Sequence, residues 1–75
     1  MEDLIRIMSE IRPDIDFEKE TELIDNDILD SFDIIAIVGE VNSFYKIKIN
    51  VNDLLPENFN SAEALYELIT KLKNK

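Results

Sequence analysis

Ser31 is the residue of this chain best placed for chemistry. It stands in the run Leu29-Asp30-Ser31-Phe32-Asp33, after a long acidic stretch and where an apolar pattern of helical spacing begins. A serine at that point offers its hydroxyl to solvent between acidic neighbours. Nothing in the chain turns it into a nucleophile of its own: histidine and cysteine are both absent, and Asp30 and Asp33 are too weakly basic to replace an imidazole. Two readings follow. Ser31 either caps the helix it opens, satisfying free amides, or is modified by another protein and then carries a group.

Other constellations carry less. Asp25-Asn26-Asp27 opens like a calcium loop, but that pattern next needs an oxygen ligand, a glycine and a closing glutamate, where this chain has Leu29, Asp30 and Ala36. With a single glycine there is no phosphate-cradling loop. Carboxylate pairs abound, yet in so acidic a chain they mark solvated faces rather than an acid–base site. The expectation is a protein that is not an enzyme and holds no metal.

The elements that must position Ser31 follow from periodicity. Leu4, Ile7, Met8 and Ile11 recur at helical spacing, predicting an amphipathic helix from about Asp3, as its cap, to Ile11, stopped by Pro13. Residues 13–30 read as a long connection pinned by Phe17, Leu23, Ile24, Ile28 and Leu29. A second helix is predicted from Ser31 or just after it to Tyr45, its inner stripe Ile34, Ile37, Val38, Val41 and Tyr45, widened by Phe32 and Ile35. Gly39 sits in mid-helix, either admitting a close neighbour or simply tolerated at a cost of about 1 kcal/mol relative to alanine.

The alternation from Tyr45 to Val51 resembles a strand, but no second strand pattern exists to pair with it. It therefore reads as an extended connector with Ile47, Ile49 and Val51 turned inward. Asn52-Asp53-Leu54-Leu55 is read as one short helical turn ending before Pro56. The last helix is predicted from Asn60 or Ser61 to about Lys73, with Leu65, Leu68, Ile69 and Leu72 inside and Lys71, Lys73 and Lys75 at its negative end. The expected fold is all-α: a single domain over residues 1–75, built as a bundle of three main helices and a short fourth, with a long first loop.

The chain has 75 residues and a net charge of −9. Residues 1–40 hold 13 acidic against 3 basic side chains, while residues 41–75 hold 4 against 5. A field of this sign repels phosphate backbones and attracts basic protein surfaces, which argues against nucleic-acid binding. A hydrophobic content of 45% at helical spacing argues against disorder. The absence of cysteine fits a reducing compartment, no apolar run is long enough to span a bilayer, and the start of the sequence is acidic where an export signal is basic. A cytoplasmic protein without membrane insertion is expected.

Asp30-Ser31-Phe32-Asp33, preceded by Leu23-Ile24-Asp25-Asn26-Asp27-Ile28-Leu29, resembles the attachment region of acyl carrier proteins. The likeness runs from Leu23 to about Leu72, through Ile47-Lys48-Ile49 and Asn58-Phe59-Asn60-Ser61. It implies a bundle of the acyl-carrier type in which Ser31 receives 4'-phosphopantetheine from coenzyme A through a phosphopantetheinyl transferase. Acyl or aminoacyl groups would ride on that arm as thioesters, loaded by a ligase and passed to downstream transferases in fatty-acid, specialised lipid or secondary-metabolite synthesis. It further implies a monomer whose partners dock at Asp30, Phe32, Asp33, Ile35, Val38 and Glu40.

Three departures qualify the likeness. The family commonly has glycine three or four residues before the serine, where this chain has Asp27 and Ile28. Ala36, Asn42 and Ser43 are neutral where fatty-acid carriers are often acidic. Phe32 in place of the usual leucine is similar to the D-alanyl carriers of teichoic acid modification. The alternatives are such a D-alanyl carrier and an unmodified acidic protein-interaction module.

Overall fold

Three amphipathic stripes and a set of loop-borne apolar plugs build the molecule. A computed structural model describes residues 1–74, as helices α1 (Glu2–Ile11), α2 (Ser31–Tyr45), α3 (Pro56–Phe59) and α4 (Ala62–Lys73), with one 3-10 turn at Val51–Asp53. There is no strand among the described residues, and the long first loop from residue 12 to residue 30 is irregular. Helix α1 packs on α2 and α4, and α3 packs on α4. No helix of the described residues is long and apolar enough to cross a membrane.

Leu4, Ile7 and Met8 of α1 meet Ile37 and Val41 of α2 and Ala62, Leu65, Leu68 and Ile69 of α4 in one buried cluster. The connections fill the rest: Phe17, Leu23 and Leu29 from the first loop, Ile49 from the second, and Phe59 from α3 are all buried. Each such side chain contributes about 1.5–3 kcal/mol by leaving water, which is how a segment without regular structure stays fixed. The radius of gyration, 11.1 Å, is near the ~11 Å of a folded chain of this length, so the long loop lies against the bundle rather than away from it.

Hydrogen bonds finish what the plugs begin. The Asn60 side-chain oxygen accepts from the amides of Ile24 (3.0 Å) and Asp25 (3.1 Å), its amide group donates to Asp25, and its carbonyl accepts from the Leu23 amide at 2.8 Å. The Leu23 carbonyl in turn accepts from the Ile28 and Leu29 amides. The turn this closes passes through Asp27 at φ 55°, the left-handed position where glycine is commonest and aspartate is tolerated. The second connector is held by Asn42, whose side-chain oxygen accepts from the Ile49 amide at 3.0 Å. Here a side chain takes the place of a partner strand, and the alternating pattern stays a single extended segment.

Several local expectations are corrected. Asp3 is not the cap of α1; it lies in the first turn, 3.6 Å from Arg6. Asp30 rather than Ser31 caps α2, and Ser61 rather than Asn60 caps α4, its hydroxyl accepting from the Ala64 amide. Pro56 starts a helix instead of bounding one, since a missing N–H costs nothing in a first turn. Val51, at 83% exposure, points outward because it opens the 3-10 turn. Phe32 and Ile35 do not widen the inner stripe but stand on the opposite face, 83% and 68% exposed. The expected role of Lys75 lies outside the described residues.

Gly39 is exposed, and a Cβ there would meet no atom within 4 Å. No helix of the bundle uses the space, which removes the close-neighbour explanation within the chain. Gly39→Ala is expected to stabilise the protein by about 1 kcal/mol, read as a higher urea midpoint and a rise of ~4–8 °C in Tm. A lowered midpoint would contradict the geometry. Asn60→Ala, which strips two loop amides of their acceptor, is expected to cost about 1–3 kcal/mol. Faster amide exchange at Ile24 and Asp25 would be its local mark, and unchanged exchange there would rule out the pinning role.

Candidate functional site

The entrance of α2 is where the sequence concentrates its polar chemistry. The Asp30 side chain accepts from the Asp33 amide at 3.0 Å, and the Asp33 side chain accepts from the Asp30 amide at 3.2 Å. This is a capping box made of two aspartates. It relieves Ser31 of capping. Ser31 becomes the first helical residue, exposed, and its hydroxyl makes no hydrogen bond among the described residues.

Asp33 is held from a second direction. Arg12, the last residue before Pro13, donates to the Asp33 carboxylate and, at 3.3 Å, to the Ile28 carbonyl, while two parallel bonds of 3.0 Å join it to Asp14. One guanidinium thus ties the end of α1, the last turn of the first loop and the first turn of α2. Its planar fork makes this possible, where a lysine could address only one partner at a time. The bonds to Asp14 and Asp33 raise the Arg12 pKa above its already high value, so it stays charged throughout. The Arg12 bonds also hold the Asp14 carboxyl below its ordinary value.

The six residues expected to meet a partner therefore divide. Asp30, Phe32, Ile35 and Glu40 are exposed, whereas the side chain of Asp33 is only 13% exposed and Val38 packs partly against the core. Asp33 positions the entrance instead of presenting charge. Sequence reasoning missed Arg12, although its place beside the helix-ending Pro13, as one of three cations in residues 1–40, was a signal. It also missed Asn60 as a loop anchor, for which the capping preference of asparagine was a misleading cue.

Behind the entrance lies an apolar cavity of about 180 Å³, lined by Ile24, Ile34, Leu54, Leu55, Pro56 and Phe59. Ile34, three residues from Ser31, is the one residue of α2 in that lining. A larger recess of about 340 Å³ between α3 and α4 is lined by Asp53, Glu57, Glu67 and Lys71 among others and includes no residue of α2. The smaller one is the recess tied to the site. Among the described residues no three acidic side chains gather as a metal would require.

The arrangement offers an accessible hydroxyl on a rigid element, with no base to activate it, beside an apolar recess. No family model, curated protein or solved structure matches the chain.

The Arg12–Asp14 pair sets a pH dependence. The folded-state pKa of Asp14 lies below its unfolded value, so its contribution is present above about pH 4 and is lost as pH falls through the lowered folded value. Asp14→Asn is expected to lower stability at neutral pH and to flatten the acid limb of the stability curve, measured by urea unfolding across the acid range. An acid limb of unchanged slope would contradict this.

Proposed function

We propose that the protein is a carrier, modified on Ser31 with 4'-phosphopantetheine and holding acyl or aminoacyl groups as thioesters for partner enzymes. The observation that carries the reading is the Ser31 hydroxyl: exposed, unbonded, at the first position of α2, and freed from capping by Asp30. A serine retained for a structural reason at a helix entrance serves as the cap; this one does not. The resemblance of Leu23 to about Leu72 to acyl carrier proteins supplies the identity of the group.

The surroundings suit a phosphodiester at that atom. The first amides of α2 have no intrahelical acceptor, and a helix N-terminus favours negative charge. Arg12 offsets the carboxylate of Asp33, the nearest charge turned toward the bundle. Attachment joins Ser31 Oγ to the phosphorus of coenzyme A that bears the pantetheine. The bond from that phosphorus to the adenosine bisphosphate leaving group breaks, and the serine proton passes to a base of the transferase. Once bound, the arm would supply the thiol on which cargo rides. The chain itself holds Ser31 at a fixed point, keeps Asp30 outward, and offers the apolar recess under Ile34 as shelter for a short acyl group.

The aminoacyl alternative, a D-alanyl carrier, rests on Phe32, which stands where most carriers of the resembled family have leucine. Loading of the modified protein by acyl ligases and by amino-acid ligases separates the two. An unmodified interaction module is the outcome if Ser31 proves inert.

Incubation with coenzyme A and a broad-specificity phosphopantetheinyl transferase is expected to add one prosthetic group, seen by intact mass. Ser31→Ala should abolish the addition without lowering stability, because the hydroxyl bonds nothing. An unmodified mass under conditions that convert other carriers would sink the proposal.

A further inference from the structure

The entrance of α2 holds two candidate caps side by side. Aspartate and serine rank alike at such a position, and the sequence offers both, as Asp30 and Ser31. In the structure Asp30 is the cap, and the Ile34 amide donates to the Asp30 carbonyl at 3.1 Å. A helix starting one residue later would have Ser31 as its cap. The Ile34 amide would then turn to the Ser31 hydroxyl, and Ser31 would leave helical geometry for the extended geometry of a cap. The register of the first turn therefore decides whether the serine hydroxyl is free or bound.

The Asp30 register has a weakness that the usual capping box lacks. That box joins a neutral serine or threonine to a glutamate or glutamine. This one sets two carboxylates within a single turn, Asp30 on the Asp33 amide and Asp33 on the Asp30 amide. Like charges so close oppose the arrangement, and the Asp33 side chain, mostly buried, is screened poorly by water. Arg12 is the one cation paired with Asp33 among the described residues. The same guanidinium nitrogen donates to the Ile28 carbonyl, two residues before Asp30. Arg12 thus balances the charge of the box and fixes the line on which the chain enters it. Helix α2 has no lysine or arginine of its own to take its place.

We infer that Arg12 is the positioning residue for the modification of Ser31: it holds α2 in the register capped by Asp30, and without it Ser31 caps the helix and withdraws its hydroxyl. The inference rests on the carrier reading and deepens it. In the attachment step Ser31 Oγ bonds to the phosphorus of coenzyme A that bears the pantetheine. The bond from that phosphorus to the adenosine bisphosphate breaks, and the hydroxyl proton passes to a base of the transferase. An oxygen that accepts from a backbone amide lies against the helix end and must first be released. The surface that the transferase meets stays in place, so the loss appears in kcat rather than in KM.

Two measurements on the whole protein test this. The first needs no enzyme. Ser31→Ala, silent in the wild-type background, should lower Tm by roughly 4–8 °C when made together with Arg12→Gln, the mark of a lost helix cap. In Arg12→Gln itself the Ser31 Cα and Cβ chemical shifts should move from helical toward extended values. The second is the initial rate of mass conversion with coenzyme A and a broad-specificity phosphopantetheinyl transferase. Arg12→Gln should lower kcat roughly fivefold, the factor a typical cap is worth, with KM within about twofold. If Arg12→Gln does not fold, Arg12→Lys takes its place with the same outcomes in smaller measure, because lysine keeps a charge and gives up the fork. Ser31→Ala silent in the Arg12 variant would overturn the inference even where conversion slows, since Arg12 would then act on coenzyme A or the enzyme directly. An unchanged kcat would overturn it too, and either result leaves the carrier reading intact. Failure of the wild-type protein to convert, where other carriers do, would overturn the carrier reading and the role in modification together, whatever the Tm pair shows.

Discussion

The entrance of α2 depends on one cation. Arg12 is the last residue before the proline that ends α1, and its guanidinium engages Asp14, the Ile28 carbonyl and Asp33. These groups belong to three successive parts of the chain. Without a positive charge between them, the Asp33 carboxylate and the Ile28 carbonyl would converge unpaired on one partly buried spot in a protein that already carries a net charge of −9. Such a convergence is unfavourable unless paired, because burial strengthens repulsion as much as attraction. With the pair in place, Asp33 completes the capping box, Asp30 takes over capping, and Ser31 is left with no structural duty. The freedom of the serine is thus a consequence of an ion pair formed from the far end of a loop.

The same interaction explains how the protein uses its charge. Acidic side chains dominate residues 1–40, yet those nearest the serine are not equivalent. Asp33 is consumed internally, Asp30 is shared between the cap and solvent, and the outer face of α2 beyond them is nearly neutral. That surface presents the apolar side chains of Phe32 and Ile35, with the carboxylates of Asp30 and Glu40 at its borders. That differs from a helix lined with carboxylates, and it explains why composition alone would overstate the role of electrostatics.

The helices were legible because their signals are local and repeated. The stripe Leu4–Ile7–Met8 and the stripe Leu65–Leu68–Ile69 are both buried as their spacing requires. Ser31 was legible as the opening of a helix, but not whether it or its neighbour supplies the cap. A serine and an aspartate one residue apart are equally good caps, and the choice was made by Arg12, nineteen positions away and silent in any local window. Phe32 and Ile35 misled for a related reason. Hydrophobic periodicity assumes that apolar means inward, and the exposed Phe32 and Ile35 violate that assumption. Val51 failed because the alternating pattern was extended one residue into a 3-10 turn, whose dihedrals break the period of two.

The link from Asn60 to the Ile24 and Asp25 amides spans 36 and 35 positions. It has a kinetic meaning as well as a structural one. Helices α1 and α2 can form from contacts within the first 45 residues, but the loop between them waits for a side chain from the last quarter of the sequence. Closing so long a span is entropically costlier than closing a helical turn and slower to search. During synthesis the earlier helices would emerge with that loop still unfastened. The serine's immediate support therefore cannot be fastened until Asn60 has been made.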